Sequence, residues 1–128
     1  MEKLLETDLY GPVKALFEAR GFEVKGEIGA SDIVAVRADD DPVIIELKLG
    51  FSLTLLHQAI ARQSITERVY VAVPKWKGKA GWRAFKRNIG LCRRLGLGVI
   101  AVDVAGNGAD IRCDPAPFVL RKSKSKKA

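Results

Sequence analysis

The segment from Val43 to Leu49 constrains this chain most, because it has the composition of a β-strand and yet carries two charges. Glu46 and Lys48 are two positions apart, and side chains two apart on a strand point to the same face. The other residues of the segment are apolar, which is typical of a central strand. Burying ionisable groups there is unfavourable unless they pair or serve a site. The segment therefore predicts a charged pair or a functional site on one face of a buried strand.

A second acidic residue lies at the start of the preceding strand-like segment. This segment runs from Asp32 to Arg37, and a turn-like stretch rich in aspartate, residues 38–42, follows it. Two strand-like segments joined by a short turn predict an antiparallel hairpin. The hairpin would bring Asp32 beside the charged strand.

The register of this hairpin decides where Asp32 lies. A turn centred near Asp39 places Asp32 opposite Glu46, and a turn centred near Asp40 places it opposite Lys48. In both registers the three charges share one face, within about 5–8 Å of each other at Cβ. A register midway between these two would turn Asp32 to the opposite face. The site hypothesis therefore depends on the register.

Two carboxylates that project together predict a site for a divalent cation, and oxygen ligands suit Mg²⁺ or Mn²⁺. Lys48 beside such a cation could orient or help to activate a water molecule and offset negative charge on a phosphate. Hydrolysis of a phosphodiester needs these parts. The alternative is that Glu46 and Lys48 form a pair on an exposed strand face and that Asp32 is a polar residue near a turn.

The helix expected over residues 53–63 has Ser52 as its N-cap candidate. This helix adds two polar candidates to the site. Gln58 and Arg62 are four residues apart, so they share a helix face and could contact phosphate or a metal-bound water. The alternative is a solvated helix face. The apolar stripe of this helix is predicted to consist of Leu56 and Ile60, with Leu53 as a further candidate.

Two further carboxylates could reach the same place. Glu6 flanks the apolar stripe of the first predicted helix, and Glu27 could face Asp32 across a turn. Either would also be unremarkable as a surface residue.

A basic segment without any acidic residue extends from Lys75 to Arg94. Residues 75–81 are predicted to form a loop that leads into a helix. Lysine and arginine neutralise phosphates, and an exposed aromatic ring can stack on a base. Trp76 lies in the loop and is the better stacking candidate, whereas Trp82 fits the core stripe of the helix. The alternative is a basic face that only aids solubility. The nucleic-acid-binding candidates are Lys75, Lys77, Lys79, Arg83, Lys86 and Arg87, and the segment also contains Arg93 and Arg94.

Length and charge bound the organisation of the chain. The 128 residues suffice for one domain, residues 1–120, followed by a basic tail, residues 121–128, that we expect to be disordered. The tail could be a nucleic-acid arm or a solvated end. The net charge of +7 suggests a polyanionic partner.

The cellular compartment follows from cysteine usage and from the absence of apolar runs. No stretch of about 20 apolar residues predicts a membrane span, and the N-terminus is not that of a secretory signal. Cys92 and Cys113 are not in a Cys-x-x-Cys arrangement and are predicted to be free thiols. A cytoplasmic location fits best.

The predicted order of elements is α-β-β-β-α-β-α-β-β. The strands before and after the second helix can be parallel through a crossover. The fold class is therefore α/β, with a mixed central sheet flanked by helices.

Asp32 and the sequence Glu46-Leu47-Lys48, in this order of elements, resemble the PD-(D/E)xK phosphodiesterase superfamily, which has the restriction-endonuclease-like fold. The resemblance extends from Glu6 to about Val104. Within the superfamily, the chain is similar to a bacterial family of uncharacterised PD-(D/E)xK phosphodiesterases. The segments that carry this similarity are residues 10–14, 26–28, 43–48 and 69–74.

The resemblance implies roles for individual residues. Asp32 and Glu46 would ligate metal, Lys48 would be the lysine of the motif, Glu6 would be the acid of the first helix, and Gln58 the glutamine of the following helix. Ser31 stands where the motif's name implies proline.

The resemblance implies Mg²⁺- or Mn²⁺-dependent nuclease chemistry and does not fix the substrate. The basic segment favours nucleic acid, and we expect DNA. The alternatives are a non-catalytic nucleic-acid-binding module on the same fold and a subunit whose basic surface meets an acidic protein. A homodimer is an open alternative to a monomer, because many such nucleases pair to cut two strands.

Overall fold

Six strands form one sheet in the same order as they occur along the chain. The computed structural model describes residues 4–26 and 32–117. The predicted order of elements is confirmed, and the α/β architecture is consistent with the expected restriction-endonuclease-like core. In chain order the elements are α1 (Thr7–Glu18), β1 (Glu23–Lys25), β2 (Asp32–Val36), β3 (Val43–Leu47), α2 (Leu53–Arg62), β4 (Val69–Pro74), α3 (Gly78–Arg94), β5 (Gly98–Asp103) and β6 (Gly108–Cys113).

The sheet is mixed, as predicted. β2 is antiparallel to both β1 and β3, whereas β3, β4 and β5 are parallel to one another. β6 returns antiparallel to β5. The parallel pairs are joined by crossovers that contain α2 and α3. As a result, β3 and β4 end at the same edge of the sheet.

The alternation of side chains along the strands divides the core into two layers. Ile45 and Leu47 of β3 pack into the layer that contains α1, and Ile44 packs into the layer that contains α2 and α3. All five residues of β3 are buried, as expected for a central strand. By the same alternation, Glu46 faces the side of α2.

The N-terminus of α2 is capped as its sequence predicts, since the Leu55 N–H donates to Ser52 Oγ at 3.1 Å. The predicted apolar stripe was partly wrong. Leu53 and Ile60 are exposed, and Leu55, Leu56 and Ala59 are the buried residues instead. Relative to the predicted stripe, the buried face of α2 is rotated about the helix axis. Leu55 and Ala59 pack in the core layer that the helix shares with β4.

The third helix begins earlier than its two glycines suggested. The loop was predicted to continue to Gly81, but α3 starts at Gly78, so Lys79 belongs to the helix. Gly78 has a φ of +69°, which glycine adopts without strain. Lys79 and Ala80 are good helix formers, which outweighs the loop-like composition. Within residues 4–26 and 32–117, no helix has the length and apolar character needed to cross a membrane.

Candidate functional site

The hairpin between β2 and β3 has the register in which Asp32 is the direct partner of Glu46. This is the register centred on Asp39. The turn is held by Arg37, whose Nε donates to Asp40 Oδ2 at 3.0 Å and whose carbonyl accepts from the Asp40 N–H at 3.0 Å. The two carboxylate-bearing residues therefore lie side by side.

These residues lie at the edge of the sheet where the parallel strands end. Asp32 is the first residue of β2, Glu46 is the penultimate residue of β3, and Lys48 follows β3 directly. The Lys48 N–H still donates to the Ala72 carbonyl of β4 at 3.1 Å, so its backbone continues the ladder. In open α/β sheets, ligands bind outside the carboxyl ends of the strands.

The guanidinium of Arg62 bridges the two carboxylates. Its Nε donates to Glu46 Oε2 at 3.2 Å, and its Nη2 lies 3.3 Å from Asp32 Oδ2. Arg62 is the last residue of α2, and the rotation of that helix turns it toward the hairpin. The side chain thus faces the carboxylates and is still 40% exposed.

A second ion pair brings Glu6 to the site. Lys48 Nζ lies 3.8 Å from Glu6 Oε2, and both side chains are partly exposed. Glu6 is the residue immediately before α1. Glu6 therefore reaches the site by contacting Lys48, whose positive charge also acts on Glu46.

Burial raises the pKa of Glu46, whose side chain is only 2% exposed. The negative charge of Asp32 acts in the same direction, while the hydrogen bond and charge of Arg62 and the charge of Lys48 oppose it. Burial outweighs these cations, because a carboxylate loses its hydration when it is enclosed. Further positive charge at this point would stabilise the ionised form.

Gln58 presents an unsatisfied oxygen on the same helix face as Arg62, one turn earlier. Among the described residues, its Oε1 is buried and has no hydrogen-bond partner. A buried acceptor without a partner is unfavourable by about 1–3 kcal/mol. Amide oxygens are ligands for hard divalent cations. A cation or a water molecule held at the site would satisfy this oxygen.

The donors suit a magnesium ion that keeps part of its hydration shell. Mg²⁺ commonly takes one or two carboxylates from the protein and retains several waters. In the described part of the chain, no three side chains of the His, Cys, Asp and Glu types are grouped closely enough to form a fuller cage. The Asp32 and Glu46 carboxylates therefore fit Mg²⁺ or Mn²⁺, provided that Arg62 moves away. Glu27, Ser31 and the tail, residues 121–128, lie outside the described residues.

A continuous basic surface starts at the same edge of the sheet. Lys75 and Lys77 follow β4, and the basic residues of α3 lie within an arc of about 120° at 100° per residue. Phe85 and Cys92 are buried on the other side of the helix. The basic face of α3 is formed by the exposed residues Lys79, Arg83, Lys86, Arg87, Arg93 and Arg94.

Trp76 is half-buried and is not the free loop side chain that its position suggested. Its ring centroid lies 4.5 Å from that of Trp82 and 4.9 Å from that of Phe85. The guanidinium of Arg112 lies 5.2 Å and 5.7 Å from the two indole rings. Arg112 was not among the residues predicted for this surface. The alternation of β6 places it on the same face as Asp110.

Comparisons with known proteins identify a relative by structure only. No family model matches the chain, and no curated protein matches it either. A crystal structure of an XisH family protein from Nostoc punctiforme aligns with a TM-score of 0.51. The alignment covers 85% of this chain and 99% of that chain, at 19% identity. The two chains share a fold. At this identity the likeness supports the restriction-endonuclease-like architecture and does not extend to activity.

Proposed function

We propose that this protein is a nuclease that hydrolyses phosphodiester bonds in DNA with the help of Mg²⁺ or Mn²⁺. The observation that carries the proposal is the pairing of Asp32 with Glu46, beside Lys48, at the edge where β3 and β4 end. Two adjacent carboxylates and a lysine on one face are the parts that this chemistry needs.

Each residue of the site has a role in this proposal. Asp32 and Glu46 would hold the metal, which supplies a Lewis acid and lowers the pKa of a bound water. Lys48, held by Glu6, would orient that water and offset the negative charge that grows on the phosphate. Gln58 would hold a metal-bound water or the metal itself through its unsatisfied oxygen. No covalent intermediate on the protein is required.

The basic face of α3 supports nucleic acid as the substrate. α3 begins at the edge that carries the site and runs for 17 residues, which is about 26 Å. Lysine and arginine bind phosphates without regard to sequence.

The two free thiols, Cys92 and Cys113, fit the reducing cytoplasm. A homodimer would place two sites on one duplex and allow both strands to be cut.

The second candidate is a DNA-binding module without catalysis. The observation that favours it is the Arg62 guanidinium, which already contacts both carboxylates. A protein that kept this arrangement would bind DNA through its basic face and leave it intact.

Cleavage assays on matched variants separate the two functions. The wild type, Lys48→Ala and the control Lys14→Ala are each incubated with single-stranded, duplex and branched DNA, and with RNA, in Mg²⁺ or Mn²⁺. Lys14 is a partly exposed residue of α1 that pairs with Glu18, so its loss removes the same charge away from the site. We expect Lys48→Ala to lose at least about 100-fold in cleavage rate while it still binds DNA. Equal binding by all three proteins without cleavage by any would establish the module instead. Cleavage of RNA alone would overturn DNA as the substrate.

A further inference from the structure

We propose that Arg62 is an exchangeable cation, which occupies the metal position in the metal-free protein and is released to bind the substrate phosphate when a divalent ion enters. This inference rests on the proposed metal-dependent function. In this proposal Arg62 occupies the carboxylates when no metal is bound, and it links the binding of metal to the binding of substrate.

The contacts of Arg62 compete with a metal for the same oxygens. Its nitrogens lie 3.2 Å from Glu46 Oε2 and 3.3 Å from Asp32 Oδ2. A Mg²⁺ ion on those two oxygens would lie about 2.0–2.1 Å from each. Two cations beside the same oxygens also repel each other when they are partly desolvated. Departure of the guanidinium therefore favours binding of the ion.

The exposure of the side chains gives the direction of this exchange. Glu46 is 2% exposed and Arg62 is 40% exposed, so the guanidinium lies on the solvent side of the buried carboxylate. An ion that approaches Glu46 from this side meets Arg62 first, and an outward swing of Arg62 would admit it. Both contacts are longer than the 2.7–2.9 Å that is usual for strong charge-assisted hydrogen bonds.

The charges at the site favour the exchange. Three carboxylates face two cations, which leaves one net negative charge on the group. Replacing the guanidinium with a divalent ion makes the group neutral, and the charge of Arg62 becomes available for a phosphate. The five residues are Glu6, Asp32, Glu46, Lys48 and Arg62.

The release of Arg62 couples two binding events. A metal ion frees the guanidinium for DNA, and bound DNA, by holding the guanidinium, removes the competitor of the metal. Such coupling is reciprocal by thermodynamic necessity. Because of Arg62, the protein would bind metal more tightly when DNA is bound, and DNA more tightly when metal is bound.

Binding of Mn²⁺ without DNA tests the exchange. Free Mn²⁺ is measured by electron paramagnetic resonance at about pH 8 for the wild type, Arg62→Gln, Arg62→Lys and the control Arg20→Gln. Arg20 is exposed and lies outside the described helices and strands, so its variant matches the change in charge. We expect Arg62→Gln to bind Mn²⁺ about tenfold more tightly than the wild type. Arg20→Gln should bind as the wild type does.

A lysine variant keeps this test decisive if Arg62→Gln fails to fold. Lysine retains the charge but lacks the planar fork that reaches two carboxylates at once. Arg62→Lys should therefore bind Mn²⁺ with an affinity between those of the wild type and Arg62→Gln, and circular dichroism reports whether each variant folds. Unchanged or weaker Mn²⁺ binding in the folded Arg62 variants would overturn the exchange.

Binding of DNA in the Lys48→Ala background tests the coupling, because hydrolysis is then suppressed. Fluorescence anisotropy with and without Mn²⁺ should show a smaller metal-induced gain in DNA affinity once Arg62 is also changed to glutamine. An equal gain in both proteins would overturn the release of Arg62 to phosphate. If Mn²⁺ binds the wild type and Arg62→Gln equally, the exchange fails and the proposed function stands. If Mn²⁺ binds neither protein, the proposed function fails as well.

Discussion

Asp32 and Glu46 are direct partners across the hairpin, yet Asp32 is 33% exposed and Glu46 only 2%. Both carboxylates contact the same guanidinium. The loss of hydration therefore falls mainly on Glu46, whose pKa is raised by burial. This asymmetry makes Glu46 the residue of the pair whose protonation is linked to folding.

The first prediction concerns the pH dependence of stability. Because the folded-state pKa of Glu46 is raised, the folded protein binds more protons than the unfolded chain above about pH 4.3. The contribution of Glu46 to stability is complete below that pH and is lost as the pH rises through the raised pKa. Urea denaturation at a series of pH values should show this loss in the wild type and not in Glu46→Gln. A parallel pH profile for the two proteins would refute the assignment.

The second prediction concerns the unsatisfied oxygen of Gln58. Gln58→Met removes a buried acceptor that has no partner, so the metal-free protein should gain about 1 kcal/mol of unfolding free energy. With Mg²⁺ or Mn²⁺ present, the same variant should lose its hydrolytic activity. Gln63→Met is the matched control on the same segment. Gln63 Nε2 donates to the Leu95 carbonyl at 2.8 Å, and its loss should destabilise by about 1 kcal/mol. Urea denaturation in EDTA measures both variants, and a destabilised Gln58→Met would show that its oxygen is satisfied in the protein.

The third prediction concerns the basic face of α3. Arg83→Gln with Arg87→Gln should weaken DNA binding at every sequence. The slope of log affinity against log salt should fall by about 0.9 for each phosphate that the variant no longer neutralises. The control, Lys14→Ala with Lys25→Ala, removes two exposed charges elsewhere and should leave the slope unchanged. Anisotropy titrations over a range of salt concentrations give the slope. Equal slopes for the two double variants would exclude this face from the DNA interface.

The fourth prediction concerns two glycines that differ in surroundings. A Cβ at Gly98 would lie 2.5 Å from Tyr70 Cδ2 and 2.8 Å from Pro115 Cδ. The Tyr70 ring cannot yield easily, because it is buried and its hydroxyl donates to Asp114 at 3.0 Å. Gly98→Ala should therefore destabilise by about 1–3 kcal/mol.

Gly90→Ala is the control for that prediction. Gly90 lies within α3, and a Cβ added to it would meet no atom within 4 Å outside its own helix backbone. Alanine should therefore stabilise the helix by about 0.5–1 kcal/mol. Thermal unfolding of the two variants should shift in opposite directions. A stabilised Gly98→Ala would mean that the sheet adjusts around Tyr70.

The sequence alone predicted the order of elements because each has a distinct signal. The alternation and apolar content of residues 43–49 identified the central strand, and Ser52 identified the start of α2. The register between Asp32 and Glu46 could be narrowed to two alternatives and no further. The choice depends on the conformation of the turn, where Arg37 pairs with Asp40. Composition does not distinguish such turns.

Other features depend on contacts between distant residues. Leu53 and Ile60 have helical spacing with Leu56. The face of α2 that packs against the sheet nevertheless carries Leu55 and Ala59. The same rotation brings Arg62 to the carboxylates, so both the wrong stripe and the undetermined role of Arg62 have one cause. Spacing defines a helix face, and tertiary packing decides which face is buried.

The sequential order of the strands bears on how the chain folds as it is synthesised. Each strand pairs with the strands adjacent in the sequence, so the sheet can be built up in chain order. The hairpin that unites Asp32 with Glu46 can form as soon as residue 47 has left the ribosome, before the cationic helix exists. During translation the acidic pair would thus be assembled ahead of the surface that attracts nucleic acid.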